Sequence, residues 1–158
     1  MAELSASARK VQEALASKGL DCKVREMPAT TRTAQDAATA IGCRVEQIAK
    51  SLIFKTRRTN QPVLVIASGS NRANEKRLAE VIGEPLDKAD PDFVRERTGF
   101  AIGGVPPVGH AQQSQTIIDE DLLGHDIVWA AAGTPHAVFA LTPADLVRIT
   151  GGKCVGVK

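Results

Sequence analysis

A chain of 158 residues with 43% apolar and 24% charged residues is sized for one domain, residues 1–158, with its own core. Four Phe, one Trp and no Tyr exclude a broad aromatic platform for stacking nucleobases, while a net charge of +2 neither demands nor forbids a local basic face. Cys22, Cys43 and Cys154 have no metal-ligand spacing and read as reduced thiols, so no metal is expected. No leader-like segment and no bilayer-length apolar run is evident, so the expectation is a cytoplasmic protein without membrane contact.

Taken in order, Ser5 caps a predicted helix to about Lys18, with Ala8, Val11 and Leu15 at helical spacing. Cys22 to Met27 alternates as a strand, closed by Pro28. Thr31 and Thr33 offer caps to an alanine-rich helix ending near Ile41, and Val45 to Ala49 reads as a helical turn. Lys50 to Lys55 and Pro62 to Ala67 read as strands of one hairpin across the polar bridge Thr56 to Gln61. Ser68 to Asn71 is a turn, Asn74 caps a helix to about Ile82, and Asp90 with Pro91 opens a helix to Arg97. After the apolar piece Phe100 to Ile102 comes Gly103-Gly104-Val105-Pro106-Pro107-Val108-Gly109-His110. Thr116 to Asp119, Ile127 to Ala131 and Ala137 to Leu141 are strands, with a turn or helical stub at Glu120 to Leu123 and a sharp turn at Gly133 to His136. Thr142-Pro143 opens a last helix to Ile149, and Val155 to Val157 reads as a final short strand. With hairpins outnumbering βαβ units, the pattern predicts a mixed α/β (α+β) fold, a largely antiparallel sheet with helices around it.

Few residues carry chemistry. The glycine-proline stretch is a stiff, open loop; it reads either as a tight turn or as a cradle of N–H groups for an anion or polarised carbonyl. Lys50, at a strand mouth, is either a snorkelling lysine or a fixed charge in a cleft. His136 is a turn residue or a proton carrier, and Asp119-Glu120-Asp121 an exposed turn or an amine site. Lys55, Arg57, Arg58, Arg72, Lys76 and Arg77 form either a basic face or a solvated mixed surface. No nucleophile elbow, phosphate loop or dinucleotide fingerprint is present, so no cofactor is expected. The residues alone describe a pocket for a small polar ester or carboxylate.

Ala49-Lys50-Ser51-Leu52-Ile53-Phe54, Ala67-Ser68-Gly69-Ser70-Asn71-Arg72 with Glu75-Lys76-Arg77-Leu78, Gly99 through Gly109, and Ala131-Ala132-Gly133-Thr134-Pro135-His136 with Leu141 to Leu146 stand in an order that resembles the YbaK/EbsC family. Its members are aminoacyl-tRNA deacylases related to the editing domain of bacterial prolyl-tRNA synthetase. The resemblance runs from about residue 30 to the C-terminus. It implies a curved sheet and a trans-editing enzyme that hydrolyses the ester of a mischarged tRNA. Lys50 matches the family's key lysine, and Gly103 and Gly104 are expected to hold the carbonyl oxygen. Thr33, Ser68, Val105, Pro106, Gly109, Gly133, Thr134 and His136 are expected around the substrate. The implied partners are the acceptor end of a mischarged aminoacyl-tRNA, with a synthetase or elongation factor beside it. The Thr134-Pro135-His136 turn differs from the basic version associated with Cys-clearing members. That difference favours Ala, Ser or Thr over Cys as the amino acid cleared. The competing readings are a non-catalytic aminoacyl-tRNA or small-ligand binding module, and a hydrolase of small non-tRNA esters.

Overall fold

The computed structural model describes residues 4–158. Helix α1 (Ala6–Ser17) starts where the Ser5 hydroxyl accepts from the Ala8 N–H, and it buries Ala8, Val11 and Leu15. The extended segment after it pairs only as β1 (Arg25–Glu26), shorter than the alternation predicts. Gln12 explains the difference. Its amide donates to the Cys22 carbonyl oxygen (2.7 Å) and accepts from the Val24 N–H (2.8 Å), satisfying backbone groups that a neighbouring strand would otherwise claim.

Helix α2 (Ala34–Ile41) is capped by Thr33, not Thr31. A 3₁₀ turn at Val45–Gln47 leads into β2 (Ile48–Thr56), which pairs antiparallel with β3 (Pro62–Ser68). Then come α3 (Glu75–Ile82), β4 (Leu86–Lys88), α4 (Pro91–Thr98), β5 (Gln115–Asp119), a 3₁₀ segment Glu120–Gly124, β6 (Val128–Ala131), β7 (Ala137–Leu141), α5 (Pro143–Thr150) and β8 (Lys153–Val155). Asn74, Asp90 and Thr142 each accept a backbone N–H at the helix starts that their side chains predict. Three further features differ from expectation. Strand β2 begins two residues early because Ile48 and Ala49 find a parallel partner in Trp129 and Ala130. Strand β4 is three residues long, too short for any periodicity. Strand β8 sits two residues upstream of Val155–Val157, in register with Ile117 to Asp119.

The eight strands form one sheet in the order β1-β7-β6-β2-β3-β5-β8, with β4 also on β2. Four of its pairings are antiparallel and three parallel, so the sheet is mixed and mostly antiparallel. Strand β3 is buried along its whole length. Leu64 and Ile66 face a core built with α1, α5, Phe100 and Phe139. Val63, Val65 and Ala67 face a second core with Phe54, Leu78 and Ile117 under α3. This two-sided burial is what a near-continuous apolar strand requires, and it makes β2–β3 the rigid floor on which Lys50 is mounted.

Candidate active site

Strand β2 has one edge on β3. Its other edge is shared: β6 takes Ile48 and Ala49, β4 takes Phe54 to Thr56, and Lys50 to Ile53 lie in the gap between them. Two cavities open at this gap. A small one of about 60 Å³ is walled by Thr31, Ala37, Ile48, Trp129 and Val138. A larger one of about 590 Å³ runs along Leu52 and Ile53 past Arg72, Lys88 and Ile102. Lys50, Ser51, Gly103 and Val105 line both, so the cavities meet at one lysine and one glycine loop.

Lys50 is half-buried and forms no salt bridge among the described residues. Burial lowers its pKa below the ordinary lysine value, the Arg72 charge lowers it further, and Asp119 pulls the other way. Arg72 follows a turn that Asp119 holds. The fully buried Asp119 carboxylate accepts from the Ser68 N–H (3.0 Å), the Asn71 side-chain amide (2.8 Å) and the Asp121 N–H (3.0 Å). The Asp119-Glu120-Asp121 run therefore anchors a turn through its first member. An Arg72→Gln substitution is expected to raise the Lys50 pKa, since it removes a nearby like charge. Titration of the Lys50 ammonium by NMR reads this directly, and an unmoved midpoint would show that the guanidinium does not act on it.

The two glycine turns interlock through their backbones. The Gly133 N–H donates to the Gly104 carbonyl oxygen at 2.8 Å. A Cβ on Gly104 would lie 2.8 Å from the Thr134 backbone, so only glycine permits this approach. Gly103 has φ +92° and lies under the stem of Arg32. One expectation needs correction here. The Gly104 N–H already donates to the Ala101 carbonyl oxygen at 3.1 Å, so it is not free to hold a substrate oxygen. The Gly103 N–H has no partner among the described residues.

The remaining expected residues divide. Thr33 and Val105 line the small cavity with Lys50 and Gly103. Ser68, Pro106, Gly109, Gly133, Thr134 and His136 line neither of the two. Ser68 is an anchor: its hydroxyl donates to the Glu46 carbonyl oxygen at 2.7 Å. The Pro106 carbonyl oxygen contacts the His110 ring, and Gly109 borders a separate cavity of about 240 Å³. Burial pushes the His110 pKa down, and its ring packs against Phe100. His136 is exposed, with Nδ1 3.3 Å from the Ala29 carbonyl oxygen. Its turn supports the site at one remove. The Pro135 carbonyl oxygen accepts from the Thr31 N–H (2.6 Å) and that of His136 from the Met27 N–H (2.7 Å), fixing the segment that carries Thr31 and Arg32 to the cavity.

Sequence reasoning missed Thr31, Arg32, Ser51 and Trp129 as wall residues. Thr31 carried only a capping signal, and Trp129 reaches the cavity through the parallel β2–β6 pairing, which leaves no local trace. Three of the six candidate basic residues have partners within the fold. Arg57 pairs with Asp87 at 3.0 Å, Arg58 donates to the Gly83 carbonyl oxygen, and Arg77 donates to the Lys158 carbonyl oxygen. The cations at the large cavity are Lys50, Arg72 and Lys88. Burial, as the largest cause, raises the thiol pKa of Cys22, Cys43 and Cys154, which keeps them protonated and poor nucleophiles.

Comparison with known proteins gives this geometry a family. The YwhH protein of Bacillus subtilis, itself uncharacterised, is 32% identical over 130 residues, covering 82% of each chain. A protein of Enterococcus faecalis named "Putative Cys-tRNA(Pro)/Cys-tRNA(Cys) deacylase EbsC" is 24% identical over 122 residues, 77% of this chain and 74% of that one. The crystal structure of "a putative trans-editing enzyme for prolyl tRNA synthetase" superposes with a TM-score of 0.93 at 49% identity, covering 99% of both chains. The model of the aminoacyl-tRNA editing domain matches residues 28–149, a span that holds Lys50, both glycine turns and the walls of both cavities, and the chain belongs to that family.

Proposed function

We propose that this protein hydrolyses the ester joining a small amino acid to the 3′ end of a mischarged tRNA. The observation that carries the reading is the meeting of a small and a large cavity at Lys50 and Gly103. A volume of about 60 Å³ suits a side chain of a few heavy atoms, and one of about 590 Å³ suits a terminal nucleoside. The ester between them then lies at the lysine, and Arg72 and Lys88 meet the phosphates of the acceptor end. Family membership and the likeness to the 49%-identical trans-editing structure support the same substrate class, with a prolyl-tRNA synthetase as the associated enzyme. The cytoplasm, where tRNA is charged, is the corresponding compartment.

The chemistry asks little of the protein. Water attacks the ester carbonyl carbon, a new C–O bond forms, and negative charge develops on the carbonyl oxygen. The Lys50 ammonium and the Gly103 N–H stabilise that oxygen. Collapse breaks the bond to the ribose oxygen, which takes up a proton, and the amino acid leaves as its carboxylate. Among the described residues no carboxylate and no imidazole lines the small cavity. The vicinal ribose hydroxyl of the substrate is then the group placed to relay the proton from water. His136 acts by holding its turn and the Thr31 segment.

A panel of tRNAs mischarged with different amino acids tests the reading. Hydrolysis of at least one small aminoacyl ester well above the spontaneous rate is expected. Binding of every member with turnover of none would leave only the binding-module reading. On the same panel, Arg72→Glu is expected to weaken tRNA binding and lower the slope of log affinity against log salt by about one, and an unchanged slope would remove the acceptor end from the large cavity.

A further inference from the structure

Buried hydroxyls without a partner are uncommon, and each calls for a reason. Among the described residues three side-chain oxygens are buried and unpaired, those of Thr31, Ser51 and Ser114. Two of the three, Thr31 and Ser51, line the same small cavity. They come from separate elements, a loop and strand β2, so one local irregularity does not account for both. Both residues are held by their backbones: the Thr31 N–H donates to the Pro135 carbonyl oxygen, and Ser51 is in register with Ile66 of β3. The rest of the wall is apolar at Ala37, Ile48, Val105 and Val138 and cationic at Arg32 and Lys50.

The apolar part of such a wall distinguishes poorly between isosteric side chains. Two unpaired hydroxyls inside it change that, because a ligand that pairs them recovers a desolvation cost already present in the empty site. Serine and threonine hydroxyls swing between staggered χ1 wells, the motion that would bring either oxygen to a ligand. We infer that the small cavity selects amino acids bearing a hydroxyl, serine and threonine, through hydrogen bonds from the Thr31 and Ser51 side chains. This rests on the deacylase reading above and narrows it to a substrate class.

The test uses isosteric pairs. Hydrolysis of Thr-tRNA against Val-tRNA, and of Ser-tRNA against Ala-tRNA, is measured as kcat/KM on one tRNA body. A preference of about tenfold or more for the hydroxyl member is expected in each pair. Thr31→Val and Ser51→Ala should each bring the ratios toward one, whereas Thr31→Ser, which keeps the oxygen, should preserve them. Equal rates for Thr and Val esters would overturn the inference while leaving the deacylase intact. If no ester is cleaved at all, the deacylase reading fails instead. The cavity is then judged by calorimetry with 3′-amide-linked seryl- and alanyl-adenosine. Tighter seryl binding that Ser51→Ala abolishes upholds the selectivity, and equal binding refutes it.

Discussion

Replacement of Lys50 by alanine is expected to lower kcat/KM for deacylation by about 100-fold or more, the range seen when a donor to a developing oxyanion is removed. The loss should fall on the chemical step, read by single-turnover hydrolysis at saturating protein. Strand β2 keeps its backbone pairs to β3 from residue 49 to 55 whatever side chain stands at position 50, so the circular dichroism spectrum should not change. Stability should respond in the opposite direction to activity. Burial lowers the pKa of Lys50 in the folded protein, so at pH values below that pKa the fold bears the cost of a desolvated charge. As pH rises through the lowered pKa toward the unfolded value, the folded lysine sheds its proton and stability recovers. Lys50→Ala should abolish this rise. Wild-type activity should fall across the same window, because the ammonium is the active form. A Lys50→Ala protein that retains most of its turnover would remove the lysine from the mechanism.

Gly133→Ala carries the largest expected cost in stability, about 3 kcal/mol, which lowers the melting temperature by roughly 10 °C. Two penalties add. The residue has φ +96°, where an L side chain is strained, and its Cβ would lie 2.7 Å from the Ser7 carbonyl oxygen, a backbone atom of α1. Gly83 separates them. It also has φ +96°, but an added Cβ there meets nothing within 4 Å, so Gly83→Ala should cost only about 1 kcal/mol. Thermal unfolding of the two variants side by side isolates the clash. Equal losses would show that α1 yields at that point. Because the Gly133 N–H bonds the Gly104 carbonyl oxygen, the variant should also lose activity as the Gly103–Gly104 loop shifts.

Local signals were readable in the amino-acid order and long-range ones were not. The caps at Ser5, Thr33, Asn74, Asp90 and Thr142 act over three residues, and all five stand where short-range chemistry puts them. Lys50 and Gly103 could be singled out because a lysine inside an apolar strand and paired glycines beside prolines are locally unusual. Their meeting could not be read, since it depends on β6 joining β2 in parallel across 80 residues of chain (Ile48 with Trp129 differ by 81 positions, Ala49 with Ala130 likewise). The supporting part of His136 was hidden for the same reason. Its turn bonds Met27 and Thr31, more than 100 positions upstream. Arg57 and Arg58 looked equivalent to Arg72 by charge alone, but Asp87 and the Gly83 carbonyl oxygen engage them at the far end of the hairpin.

Strand β3 has a consequence for how the protein is made. Its residues from Pro62 to Ala67 are apolar on both sides, and the strand is flanked by β2, which precedes it, and β5, which is synthesised about 50 positions later and is itself completed by β8. Until Gln115–Asp119 has left the ribosome, the nascent hairpin presents a water-averse ribbon with one open flank. Parallel pairings of such wide separation close slowly, and the interval invites self-association of unfinished chains. Yield should therefore depend on translation rate and growth temperature more steeply than the thermal stability of the finished protein would suggest.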